Sequence, residues 1–249
     1  MNKEEYVTEM DKLLADWKED ADKKSGNPVF FIDGVVDPDT YYKQDKRLLF
    51  VLKEAYATEN TADLINEADW LSGNHEGAIK SQTFKRIAMW TGITFGDEKI
   101  EQTYKWDDLI FRKIALINIK KYDGKRRSDN KNLEEHATDY AEKIIKQIEL
   151  INPTIIICGY TRWLLDIALK KCGKPTIKEG EQKSQYTYQT TKSFNNETVT
   201  VIDFWHPSCR KNNDFLNKAL SKSLNFEDCL TSHTEKGGRT PSEVGPKNK

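Results

Sequence analysis

Three short, unbroken runs of apolar residues constrain the fold of this chain more than any other feature. They cover residues 48–52, 114–117 and 155–158, the last within a strand predicted at 154–158, and each has the length of a strand rather than of a helix. Strands of a parallel sheet are covered on both faces, so their sequences are almost continuously apolar. These runs therefore predict the buried central strands of a mainly parallel sheet.

Segments with helical periodicity separate these runs. Helices are predicted at residues 3–22, 77–92 with Gly92 as a C-cap, 132–151, 160–172 and 212–224, and shorter strands at 29–32, 186–191 and 199–204. The alternation predicts an α/β fold, a three-layer α/β/α sandwich around a mainly parallel central sheet. We expect one domain over residues 1–231, in which 1–44 form the N-terminal helix and lead-in, and a disordered tail at 232–249.

The balance of charge excludes a protein that binds nucleic acid through a uniformly basic surface. The chain has 39 basic and 40 acidic side chains, which leaves room for a local basic face only. No apolar stretch approaches the ~20 residues of a membrane span, and the N-terminus lacks the apolar region of a signal peptide. The four cysteines form no C-x-x-C pair. We expect a cytoplasmic monomer that binds no membrane, metal or cofactor.

Polar residues follow three of the predicted strands. Glu54 follows the first run, Asn118 the second, and His206 the strand at 199–204. Ligands of open parallel sheets bind beyond the carboxyl ends of the strands, so these side chains are expected to converge. Each also has a plainer interpretation: a surface ion pair for Glu54, a turn for Asn118 and a structural hydrogen bond for His206.

The order of these segments resembles the uracil-DNA glycosylase superfamily over roughly residues 45–225. Residues 117–159 read Ile-Asn-Ile-Lys-Lys, a polar loop, a long helix, Ile-Asn-Pro, an apolar strand and a glycine, and the thermophilic branch has Asn-Val-Val-Lys in the same place. Trp-His-Pro-Ser at 205–208 resembles the His-Pro-Ser motif. Leu-Lys-Glu-Ala-Tyr at 52–56 stands where Gly-Gln-Asp-Pro-Tyr or Gly-Glu-Ala-Pro-Gly would be, without the glycine and the proline.

The resemblance implies a DNA N-glycosylase that acts on a flipped uracil or modified pyrimidine, with DNA repair or defence against phage DNA as its role. It implies that Glu54 and His206 are catalytic and that Asn118 reads the base. Tyr56 and His75 would form pocket walls. The implied DNA contacts are Lys53, Lys120, Lys121, Lys125, Arg126, Arg127, Ser208 and Arg210. Residues 120–131 contain six basic and two acidic side chains, a local positive charge suited to phosphates.

Two departures from the family bear on cofactor and substrate. Tyr122 stands where a cysteine ligand of the thermophilic iron–sulfur cluster would be, so we expect no cluster. Residues 73–77 lack the phenylalanine that stacks on uracil, which points to a different base, such as a modified cytosine of phage DNA.

The sequence is also compatible with two other functions. A catalytically silent member of the same fold would bind DNA or a nucleotide without cleaving it. An unrelated hydrolase would use Cys209 with His206, although residues so close in sequence are rarely placed as nucleophile and base. The chain contains neither G-x-x-x-x-G-K-[ST] nor G-x-G-x-x-G.

Overall fold

Strands and helices alternate along the chain, as the sequence predicts. The computed structural model describes residues 3–26, 28–54, 64–73, 78, 80–96, 109–122, 124–125 and 127–224. Its strands are β1 (Phe30–Ile32), β2 (Gly34–Val35), β3 (Leu48–Glu54), β4 (Leu64–Asn66), β5 (Ile114–Lys120), β6 (Ile155–Gly159), β7 (Glu181–Gln182), β8 (Thr187–Thr190) and β9 (Val199–Phe204). Its helices are α1 (Lys3–Ser25), α2 (Pro38–Tyr41), α3 (Glu67–Gly73), α4 (Gln82–Phe95), α5 (Asn130–Asp139), α6 (Ala141–Ile151), α7 (Arg162–Lys171) and α8 (Asn213–Leu224), with short 3-10 helices at Ile110–Lys113 and Ile177–Glu179. The predicted tail at 232–249 lies outside the described residues.

The central sheet is mostly parallel. Its order is β2-β5-β3-β6-β9-β8-β7, and the four strands β5, β3, β6 and β9 all run in the same direction. The flanking strands β2 and β8 are antiparallel to their neighbours β5 and β9. The carboxyl ends of the four parallel strands therefore lie along one edge, where a ligand site is expected.

Helices cover both faces of this sheet and so form two outer layers. Leu49 and Val51 of β3 pack on one face in a cluster with α1, α5, α6 and α7. Leu48 and Phe50 point to the other face, in a cluster with α4 and α8. Successive side chains of a strand point to opposite faces, so the continuous apolar run of β3 supplies both clusters.

Helix α1 packs closely against β2 because Gly34 has no side chain. The φ of Gly34 is 149°, and a Cβ placed there would lie 2.6 Å from Tyr6 Oη. Tyr6 Oη accepts a hydrogen bond of 2.8 Å from the Val35 N–H. Trp17, further along the same helix, is fully buried. The first helix is therefore part of the outer layer and its aromatic side chains are core residues.

The helices predicted at 77–92 and 132–151 differ from the observed ones in how they end or continue. Helix α4 continues through Gly92, and Gly96, with a φ of 78°, occupies the left-handed C-cap position. The single helix predicted at 132–151 is two helices, α5 and α6, separated at Tyr140. The Tyr140 ring stacks on Trp17, with ring centroids 5.5 Å apart, so the interruption is accompanied by aromatic packing.

In the described part of the chain, no helix has the length and apolar character that crossing a membrane requires.

Candidate functional site

Polar side chains at the carboxyl ends of three parallel strands line a common cavity. Glu54 from β3, Asn118 from β5 and His206 after β9 all border a cavity of about 490 Å³ at the carboxyl edge of the sheet. Gly159 ends β6, the strand between β3 and β9, and a Cβ there would lie 3.2 Å from Pro207 Cδ. The absence of that Cβ allows the loop that carries His206 to lie close to the strand ends.

The carboxyl group of Glu54 is buried at the cavity wall. Its side chain is 5% exposed, and Oε2 lies 3.9 Å from Lys120 Nζ. Among the described residues, Oε1 has no hydrogen-bond partner although it is buried. A buried polar atom without a partner costs free energy. Glu54 therefore presents an acceptor that a bound ligand or water would satisfy.

His206 is held as a neutral imidazole with a defined tautomer. The Ser208 N–H donates to Nδ1 at 3.2 Å, and Ser208 Oγ lies 2.8 Å from the same atom. Since Nδ1 accepts from a backbone N–H, the ring proton is on Nε2. Burial and the nearby charge of Lys53 lower the pKa of His206 to about 4. At neutral pH the ring is therefore an uncharged Nε2–H donor.

Asn118 is fixed by two carboxylates that sequence reasoning did not identify. Its Nδ2 donates to Asp33 Oδ2 at 3.3 Å and to Glu67 Oε2 at 2.9 Å. Its backbone N–H also donates to Asp33 Oδ2, at 2.7 Å. The side chain is 2% exposed. Asp33 follows β1, Glu67 begins α3 and Asn118 lies on β5, so three separate elements determine the orientation of this amide.

Asp33 is the centre of a buried polar network beneath the cavity. Its Oδ1 accepts from Lys121 Nζ at 2.5 Å and from Gln147 Nε2 at 3.0 Å. The ammonium group of Lys121 also lies 5.0 Å from the centre of the Trp17 ring. Burial lowers the pKa of Lys121, while Asp33 acts in the opposite direction. This network connects the floor of the site to α1 and α6.

Glu67 is a second carboxyl group in the cavity wall. Burial and the negative charge of Asp33 raise its pKa to about 7, although the hydrogen bond from Asn118 acts in the opposite direction. Carboxyl groups with a raised pKa are concentrated at functional sites. Nothing in the sequence distinguishes Glu67 from an ordinary acidic residue in the first turn of a helix.

Arg86 of α4 holds the loop that follows His206. Its guanidinium donates to the carbonyl oxygens of Pro207, Cys209 and Lys211 and to Oδ1 of Asn213. Arg86 is 4% exposed, so these bonds form inside the protein. The only sequence indication is a charged residue within the apolar stripe of α4.

The residues predicted to contact DNA do not share one environment. Those on the surface are Lys125, Arg127, Ser208 and Arg210. Lys120 and Lys121 are buried instead. Lys120 Nζ donates to Asn132 Oδ1 at 2.6 Å and faces Glu54, and Lys121 pairs with Asp33. The prediction that Lys120 and Lys121 contact phosphates is therefore replaced by internal ion pairs with Glu54 and Asp33. A strand that is covered on both faces also buries the charged residues at its end.

Lys53 lies between the cavity and a neighbouring exposed aromatic residue. Its Nζ is 4.8 Å from the centre of the Tyr160 ring, and Tyr160 is 58% exposed. Burial lowers the pKa of Lys53. Three further predicted site residues lie outside the described residues: Tyr56, His75 and Arg126.

No model of a known protein family matches the sequence, and no curated protein is significantly similar to it. Among the described residues, no group of three or more His, Cys, Asp or Glu side chains is placed to hold a metal ion. The cavity combines a carboxylate acceptor at Glu54, a neutral donor at His206 and an oriented amide at Asn118. Such a set can stabilise positive charge on one part of a ligand and negative charge on another.

Proposed function

We propose that this protein is a DNA glycosylase that hydrolyses the N-glycosidic bond of a flipped pyrimidine nucleotide. The observation that carries the proposal is the buried, unpartnered Glu54 Oε1, in the same cavity as the Nε2–H donor of His206 and the amide of Asn118. The arrangement of these three residues along the chain also supports it through the resemblance to uracil-DNA glycosylases.

The chemistry of the reaction requires these two kinds of group. As the bond from C1′ to the base breaks, its electron pair leaves with the base and positive charge develops on the sugar. The Glu54 carboxylate stabilises the sugar cation and orients the water whose oxygen bonds to C1′. The His206 Nε2–H donates to the base oxygen on which negative charge accumulates. The water proton finally passes to the departing base. Groups aligned in this way before the reaction are often the largest contribution to catalysis.

The size of the cavity and its surroundings are consistent with an extruded nucleotide. A volume of about 490 Å³ is within the ~300–1,000 Å³ typical of small-molecule sites. The base has to leave the stack first, at a cost of a few kcal/mol. Lys125 and Ser208 are both exposed and both on the cavity wall, and they would contact the flanking phosphates.

The test is base release from oligonucleotides with uracil, mismatched, hydroxymethylated or glucosylated bases, followed by alkaline cleavage of abasic sites. Glu54→Gln keeps the shape of the side chain and removes its charge, and His206→Gln removes the imidazole donor. We expect release from the wild type and a loss of about 100-fold or more in each variant. Glu135→Gln, at an exposed position of α5, is the matched control and is expected to be fully active.

The ion pair between Lys120 and Glu54 favours a second candidate, a catalytically silent protein that binds DNA in the same cavity. A cation beside the carboxylate reduces the negative charge available to a sugar cation. DNA binding without abasic product on any substrate would support this candidate and contradict the glycosylase.

A further inference from the structure

The amide of Asn118 has only one atom left for a ligand. Both of the carboxylates that face Nδ2, from Asp33 and Glu67, are hydrogen-bond acceptors. Since Asp33 is ion-paired with Lys121, the amide atom that faces Asp33 has to be the NH₂ group. Its two hydrogens are directed to the two carboxylates, so Oδ1 remains as the group that Asn118 offers to the cavity.

The hydrogen bonds that the structure describes for the Asn118 side chain all go to acceptors, the carboxyl groups of Asp33 and Glu67. Glu67 borders the cavity and, when ionised, accepts hydrogen bonds only. A freely rotating asparagine would pair equally well with a donor or an acceptor. Here the combination of Asn118 Oδ1 and the Glu67 carboxylate is matched by a ligand group with two N–H donors.

Pyrimidine bases differ at ring position 4 in whether they donate or accept hydrogen bonds. Cytosine and its 5-substituted derivatives have an exocyclic NH₂ group there, which donates two hydrogen bonds. Uracil and thymine have a carbonyl oxygen, which would face two acceptors and leave them unpaired. A buried polar group without its partner is a strong basis for discrimination.

We propose that the fixed amide of Asn118, together with Glu67, selects a base with a 4-amino group, so that the substrate is cytosine or a 5-substituted cytosine rather than uracil. This inference rests on the proposed glycosylase function, because it identifies the base that occupies the same cavity. Hydrogen bonds from the 4-amino group to Asn118 Oδ1 and to the Glu67 carboxylate carry the selection.

Two matched pairs of single-stranded oligonucleotides test the inference: cytosine against uracil, and 5-hydroxymethylcytosine against 5-hydroxymethyluracil. Each pair differs at ring position 4 and at the N3 proton that accompanies it. The assay is run at pH 8, where Glu67, with a pKa raised to about 7, is mostly ionised. We expect release from the 4-amino member to be at least about tenfold faster in at least one pair, the effect of one well-formed hydrogen bond. Equal or faster release from the 4-oxo members would overturn the inference and leave the glycosylase function intact.

Binding provides a readout that does not depend on catalysis. The same bases on 2′-fluoroarabino sugars resist cleavage, because the fluorine destabilises the sugar cation, and their dissociation constants are measured by fluorescence anisotropy. We expect at least about tenfold tighter binding of the 4-amino member at pH 8. Tighter binding of the 4-amino member, together with no base release from DNA with natural sugars, would support the inference and contradict the glycosylase function. Equal binding of the two members would contradict the inference.

Glu67→Gln tests the role of the second acceptor. A glutamine accepts the bond from Asn118 with its oxygen and offers an NH₂ donor to the cavity, which suits a 4-oxo base. The ratio of 4-amino to 4-oxo rates or affinities is therefore expected to fall at least about tenfold. Asp69→Asn, at an exposed position of the same helix, is the matched control and is expected to keep the wild-type ratio. An unchanged ratio in a folded Glu67→Gln protein would contradict the proposed selection.

Discussion

At the scale of single residues, the protonation state of His206 is the feature most open to direct measurement. Its pKa, lowered to about 4 by burial and Lys53, predicts a neutral ring with the proton on Nε2 at pH 6. Long-range ¹H–¹⁵N spectra of histidine-labelled protein report the tautomer directly. The chain has four histidines, so His206→Gln assigns the signal by its loss. A titration midpoint near 6.5, the ordinary value for histidine, would contradict the burial of the ring.

Sequence reasoning identified one kind of site residue and missed another. Glu54, Asn118 and His206 were predictable because each follows a predicted strand, and the carboxyl ends of parallel strands meet at one edge. Asp33 and Glu67 were not predictable, since their importance depends on contacts with Asn118 across 85 and 51 positions of the chain. No local pattern records contacts over such distances. The orientation of the amide, which determines what it can bind, was therefore visible only in the structure.

At the scale of elements, α4 controls the loop that carries His206. Arg86 donates to three backbone carbonyls of that loop, and Arg86→Met would leave them unpaired while keeping a side chain of similar length. We expect a loss of about 2–3 kcal/mol in the free energy of unfolding, measured by urea denaturation, and a large loss of DNA binding or cleavage. Lys85→Met, on the exposed side of the same helix, serves as the control. A stability equal to that of the wild type would show that the loop is held by other contacts.

At the same scale, unbroken apolar runs predicted the central strands well, whereas tertiary contacts determined where a predicted helix is interrupted. The strands β3, β5 and β6 lie where the apolar runs indicated them, and β9 lies at the shorter strand predicted at 199–204. The break between α5 and α6 has no glycine or proline to mark it, and residues on both sides keep their apolar faces toward the same cluster. Packing of Tyr140 on Trp17 accompanies the break. These two residues are separated by about half of the sequence, so no local pattern indicates their contact.

At the scale of the whole molecule, Glu67 makes global stability depend on pH. Its pKa is raised from 4.5 to about 7 in the folded protein, so the folded state holds this proton more tightly than the unfolded chain does. The stability that this proton contributes is present below pH 4.5 and is lost as the pH rises through about 7. Glu67→Gln, which stays uncharged, is expected to be about 1–3 kcal/mol more stable than the wild type at pH 8. Urea denaturation at pH 5 and pH 8 checks this, and an advantage that does not grow with pH would contradict the raised pKa.

The buried position of Asp33 also has an evolutionary consequence. The residue that orients Asn118 is bound to Lys121 and Gln147 and lies beneath the first helix, so recognition of the ligand and stability of the core depend on the same side chain. A substitution of Asp33 that changed the orientation of Asn118 would leave the buried ammonium group of Lys121 without its partner, at a large cost in stability. Descendants of this protein that acquire a new specificity therefore have to do so through other residues of the cavity wall, such as Glu67, or by several compensating changes in the interior.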